Sequence, residues 1–193
     1  MKLPLFHRAM SGKMINQSLL DPQSIVIVGG SNDIQKPGGK ILKNIIDGDF
    51  QKDIYVVNQK EALVQGQQCV ASVDELHEVD LAIISIPARF CPQVVHTLAR
   101  KKKTRAFIIL SAGFAEACEE GKAWEKEITD TVNSVSTDAI ITVLVEPDVH
   151  NVASDPRNSQ SAGVSGKKTY PKILIVLAML TIVIGIIVIR KFK

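Results

Sequence analysis

Little in this sequence calls for a metal, a disulfide framework or a nucleic acid. It has three cysteines, Cys69, Cys91 and Cys118, odd in number and widely spaced. No CxxC pair or Cys/His cluster joins them, which excludes a patterned zinc site and a disulfide scaffold and suits a reducing compartment. Cys91, near the start of a helical pattern, reads as a perturbed thiol or as a small buried apolar group. Net charge is only +3, so composition implies no nucleic-acid partner. The one dense basic run, residues 100–105, lies between a helix and a strand without interleaved aromatics, as a solvated turn would. Residues 1–13 carry Lys2, Arg8 and Lys13 but no long apolar stretch, which excludes a secretory signal. A disordered extension is expected there, with a short organelle-targeting segment as the alternative.

What is present is alternation. Residues 24–28, 53–58, 79–87, 106–111 and 139–145 are short apolar, β-branched runs, and helical periods follow from residue 37, in 92–100 and in 116–133. Residues 72–77 open as a short helix, with Ser72 as N-cap and Glu75 at the capping-box position. This β-α-β-α order predicts an α/β fold: a doubly wound, parallel, Rossmann-like sheet. Ligands of such sheets sit beyond the carboxyl ends of the strands, which nominates four loops: 29–39, 58–60, 86–90 and 111–115. The first is the most informative. Gly29-Gly30 ends a strand, and Pro37-Gly38-Gly39 opens a helix, a place where bare N–H groups can meet an anion. The alternative is a tight strand-to-helix turn with no ligand.

Residues 147–171 are rich in Ser, Asn, Gly and Pro and read as a flexible linker. An uncharged apolar run then fills most of residues 172–190, at the short end of the ~17–25 residues needed to cross a bilayer. Flanked by Tyr170 and Lys172 before it and by Arg190, Lys191 and Lys193 after it, this run is expected to be a transmembrane helix. The expected organisation is therefore an extension (1–14), a binding domain (15–146), the linker, the membrane helix and a basic tail (191–193). On that organisation the domain would be tethered to a membrane and face the cytoplasm.

The nucleotide is narrowed by what the second strand lacks. No GxGxxG follows the first strand, and the second ends in Asn58-Gln59-Lys60 instead of an acid. That counts against NAD, while an NADP-like site survives. The segments VGGSNDIQKPGGKILKNI, YVVNQK, VDLAIISIP and FIILSAGFAE, in this order, resemble the N-terminal CoA-binding domain of ADP-forming acyl-CoA synthetases, acetate–CoA ligase among them. The succinyl-CoA synthetase alpha subunit is a more distant likeness. The resemblance covers about residues 15–133. It implies coenzyme A or acyl-CoA as the ligand. Gly30, Ser31, Asn32, Lys36, Pro37 and Gly38 would surround the phosphates and pantetheine. Asn58 would lead to Lys60 near the adenosine 3′-phosphate. Ile86, Pro87 and Ala88 would border adenine or pantetheine, and Ser111, Ala112, Gly113 and Phe114 the thiol end.

The departures matter too. Gln59 stands where relatives usually have proline, and residues 145–148 depart from the family's Gly-Pro-Asn loop. The phosphate-carrying histidine domain and the ATP-grasp portion are missing, and His7, His77, His96 and His150 fall in no motif that would replace them. No catalytic residue is assigned and no metal is expected. The leading expectation is a CoA-binding module, catalytically incomplete alone. The alternatives are a subunit joined by separate phosphohistidine and ATP-grasp chains, and a non-catalytic adaptor or remnant.

Overall fold

A computed structural model describes residues 8–9 and 15–144. The chain runs β1 (Arg8–Ala9), α1 (Gln17–Leu20), β2 (Ser24–Val28), α2 (Pro37–Asp47), β3 (Asp53–Val57), β4 (Leu63–Val64), β5 (Gln67–Val70), β6 (Leu81–Ile84), α3 (Cys91–Lys101), β7 (Ala106–Leu110), α4 (Glu119–Val135) and β8 (Ile140–Leu144). Short 3-10 turns occupy Val73–Glu75 and Ala88–Phe90. The strands form one sheet in the order β1-β8-β7-β6-β2-β3-β5-β4.

The apolar runs are strands because both faces of the sheet are covered. Side chains alternate between faces. Val26 and Val28 of β2 share a core with Val95 and Leu98 of α3 and Ile128 and Val132 of α4. Ile25 and Ile27 pack on the other side with Ile41, Leu42 and Ile45 of α2. Each such side chain contributes about 1.5–3 kcal/mol by leaving water. A strand reading SIVIV is therefore buried along its whole length, as a central parallel strand requires.

The expected fold class needs two corrections. The sheet is mixed: β2, β3, β5, β6, β7 and β8 pair in parallel, but β1 adds antiparallel to β8 and β4 antiparallel to β5. Both antiparallel strands have two residues, too short to show a period-2 pattern. The transmembrane helix is the second correction: among the described residues no helix is long and apolar enough to cross a membrane. Residues 172–190, with the linker before them and the tail after them, lie outside the described residues. Two smaller differences are local. Residues 73–75 make a 3-10 turn, not an α-helix, although Ser72 and Glu75 do form the capping box. The last helix starts at Glu119, three residues after Glu116, because Glu116 is engaged in the preceding loop.

Candidate functional site

Strand register sets the rim. Val28 pairs with Val57 and with Ile84, and Ile84 with Ile109, so β2, β3 and β6 end level and β7 one residue beyond. The chain reverses its direction of travel at β2, which has β3 on one side and β6 on the other. A crevice beyond the strand ends is expected at that reversal. Gly29 sits in it with φ +86°, and a Cβ there would fall 2.2 Å from the Ser85 carbonyl oxygen. Only glycine combines that left-handed backbone with so close an approach. A Cβ on Gly38 would lie 2.1 Å from the Gly29 carbonyl oxygen, so α2 can begin this near β2 only without side chains.

The loop between them is short of internal acceptors. Among the described residues, the N–H groups of Gly30, Ser31 and Asn32 donate to nothing in the protein. α2 starts with Pro37 in its first turn, no side-chain cap from Lys36 and no acid in that turn. Its positive dipole end is left uncompensated. Lys36 is 67% exposed and 4.0 Å from Asp33, a loose ion pair that leaves its ammonium at the surface. Lys60 is exposed on the loop after β3.

Not every expected residue presents its side chain outward. Asn58 is a clamp: its Nδ2 donates to the Gly30 carbonyl (2.9 Å), and its Oδ1 accepts from the N–H groups of Lys60 (2.7 Å) and Glu61 (3.0 Å). It thereby joins the glycine loop to the loop that carries Lys60. The Asn32 side chain is committed to the β4–β5 hairpin. Its Nδ2 donates to Glu61 Oε2 and to the Leu63 carbonyl, and its Oδ1 accepts from the Gln65 N–H. Ser31 Oγ accepts from the Asp33 N–H at 3.1 Å.

On the β6 and β7 side, Ser111 is buried and donates to the Ile86 carbonyl at 2.5 Å, drawing the two loops together. Gly113 approaches Ala88, with only 3.5 Å between a Cβ on the glycine and the Ala88 Cβ. Ile86 is half-buried, Pro87 and Ala112 are exposed, and Ala88 and Phe114 are buried. The Phe114 ring belongs to the core and supports the wall from behind. Cys91 lies beneath this wall, fully buried, with Sγ 3.8 Å from Ser111 Oγ. Burial pushes its thiol up to about 11, against a smaller opposite effect of the Ser111 hydrogen bond. Of the two readings of this cysteine, the buried apolar group holds, since a thiol so reluctant to ionise is no nucleophile near neutral pH.

Sequence reasoning missed two residues here. Gln65, at the tip of the hairpin, donates from Nε2 to the carbonyls of Ser31 and Gly39, both at 2.8 Å. Glu116 accepts from the N–H groups of Gly113 (2.7 Å) and Phe114 (3.0 Å). The Gln-Gly dipeptide before residues 67–70 was the only signal for the hairpin, and it is weaker than Asn-Gly. His77 and His96 are exposed, and no group of three or more metal-ligating side chains occurs among the described residues.

A family model described as a CoA binding domain matches residues 23–146. The alpha subunit of the ADP-forming acetate–CoA ligase II of Pyrococcus furiosus is 40% identical over 111 residues, covering 57% of this chain and 24% of that protein. The alpha subunit of the ligase I from the same organism is 37% identical over 120 residues, covering 60% and 26%. This chain therefore spans about a quarter of the length of these curated relatives. Among solved structures, the dinucleotide forming acetyl-coenzyme A synthetase 1 of Ca. Korarchaeum cryptofilum, in complex with phosphate and ADP, superposes with a TM-score of 0.56. It is 27% identical, with 62% of this chain and 25% of that one covered.

Proposed function

The chain belongs to the CoA binding domain family, and from that premise we propose that coenzyme A or acyl-CoA docks across the rim of β2, β3, β6 and β7. The observation that carries this reading is the uncommitted amide run at Gly30, Ser31 and Asn32 above an uncapped, acid-free helix start. Coenzyme A carries a diphosphate and a 3′-phosphate, and such amides suit the diphosphate without side-chain bulk. Lys36 supplies a mobile cation beside the loop. Lys60, pinned by the Asn58 turn, serves the 3′-phosphate as a point charge. The half-buried Ile86 and the exposed Pro87 and Ala112 side chains offer apolar cover for the pantetheine.

Isothermal titration of the full chain with CoA and with dephospho-CoA tests the reading. Binding of CoA, weaker for dephospho-CoA, is the expected result. No heat at millimolar CoA removes it, and a preference for NADP over CoA replaces it with a dinucleotide site.

A second reading concerns assembly, and the subunit status of the two Pyrococcus furiosus relatives favours it. Here the chain contributes the CoA site of an ADP-forming acyl-CoA synthetase whose phosphate-carrying histidine and nucleotide-charging parts lie elsewhere. Among the described residues the four loops contain no histidine: His96 stands on α3 and His77 follows the 3-10 turn at Val73–Glu75. Co-purification of chains bearing those parts, with acyl-CoA formation only in the mixture, is expected. Acyl-CoA formation by the purified chain alone refutes it.

A further inference from the structure

Gln65 occupies a position for which its residue type is a poor backbone choice. β4 and β5 are joined by the two-residue turn Gln65-Gly66, with φ of +48° and +81°. A hairpin turn with both φ values positive favours Asn-Gly or Gly-Gly, and a longer side chain in the left-handed region is strained. The added length reaches something. Nε2 donates to the Ser31 carbonyl in the glycine loop and to the Gly39 carbonyl in the first turn of α2, both at 2.8 Å. The residue's own N–H donates to Asn32 Oδ1, also at 2.8 Å. One amide thus ties the loop to the helix start from a hairpin that otherwise serves as the sheet edge.

The peptide plane turns this tie into aim. The Ser31 carbonyl and the Asn32 N–H belong to one trans peptide and point in opposite directions. With the carbonyl held by Gln65, the Asn32 N–H faces away from the hairpin, and it has no acceptor among the described residues. We propose that Gln65 is a positioning residue for the CoA diphosphate, which it does not touch, presetting the Ser31–Asn32 peptide plane that meets the anion. The inference rests on the proposed function, because it takes this loop as the phosphate cradle. Preorganised donors bind more tightly than donors that must be ordered on contact.

Gln65→Asn in the full chain is the test. Asparagine suits the left-handed turn better but is one methylene too short to span both carbonyls. The expected result is a thermal midpoint unchanged or raised, about tenfold weaker CoA binding, and shifted amide resonances of Ser31 and Asn32 in the unliganded chain with those of β2 unaffected. Gln65→Gly, which relieves the turn entirely, shows the same loss of affinity and guards against a folding defect in the first variant. Native affinity in either folded variant overturns the inference and leaves the proposed function standing. No binding by the native chain itself removes the proposed function and this role together.

Discussion

The amino ends of the strands pair their polar side chains, the buried Thr104 hydroxyl excepted, whereas the carboxyl ends leave a run of backbone amides open. At the amino ends, Asn16 caps α1 by accepting from the Leu19 N–H (2.9 Å). Its Nδ2 also donates to the carbonyls of Arg105 (2.9 Å) and Asp138 (2.8 Å). Asp80 takes the Gln23 N–H on its carboxylate at 2.7 Å, and its own N–H donates to Ser24 Oγ at 3.0 Å. Lys52 pairs with Asp21 at 2.7 Å. Even the basic run is occupied: Lys101 pairs with Asp74 and Lys103 with Glu78, Arg100 donates to Ser134, and Lys102 donates to the carbonyls of Asp74 and Leu76. At the carboxyl ends, three successive amides and the start of α2 lack such partners among the described residues, while Ser72 and Glu75 elsewhere show that this chain can build a full capping box. The amides left unpaired at this end are the ones to which the proposed function assigns the anion.

The sharpest way to break this contrast is to fill the space that keeps the open end open. Gly38→Ala places a methyl against the Gly29 carbonyl, backbone against backbone, with nothing flexible to yield. Loss of about 3 kcal/mol in urea unfolding, and no CoA binding, is the expected outcome; a stable variant that still binds would show that α2 can shift freely. At the closed end, Asn16→Ala removes a cap and two long-range bonds. It should cost about 2 kcal/mol of stability while CoA affinity stays native. A loss of affinity as large as the loss of stability would mean that the two ends are coupled.

Lys60→Ala should do the reverse, weakening CoA about tenfold with the thermal midpoint unchanged and the difference shrinking as salt is raised. Its effect on dephospho-CoA should be slight, and equal losses for both ligands would take Lys60 away from the 3′-phosphate.

The smallest effect probes the seal just beneath the rim. The Cys91 thiol is raised from 9.0 to about 11 by burial. The folded state therefore favours the protonated form, a stabilisation complete below pH 9 and lost as pH climbs through 11. Unfolding free energy should fall by about 1 kcal/mol between pH 8 and 10, and Cys91→Ala should flatten that slope. Alkylation at pH 8 should reach the exposed Cys118 and spare Cys91. Rapid labelling of Cys91 in the folded chain would mean that the crevice opens to its floor.

Legibility followed element length. The runs at 24–28, 53–58, 106–111 and 139–145 became β2, β3, β7 and β8 within a residue or so at each end, because four or more consecutive apolar or β-branched residues leave few alternatives. The hairpin β4–β5 and helix α1 were not legible. Both are too short to repeat a hydrophobic pattern, and they persist through contacts to distant segments, as Gln65 reaches Gly39 and Asn16 reaches Asp138. The four loops were nominated from the order of strands and helices alone, and the level strand ends bring them to one rim. Yet the side chains of Asn32 and Asn58, expected around the ligand, prove to be clamps between loops, and Phe114 lies inside the core. Composition around a loop can nominate it, but which atoms face outward depends on acceptors tens of residues away.

The residues by themselves determined the alternation of strands and helices and the glycines where backbone must touch backbone, because each follows from the local preferences of a few neighbouring residues. The tertiary structure decided the strand order, the level ends that gather four loops at one rim, and which polar groups were already spoken for. Those depend on register and hydrogen bonding between segments far apart in the chain, and no local pattern encodes either.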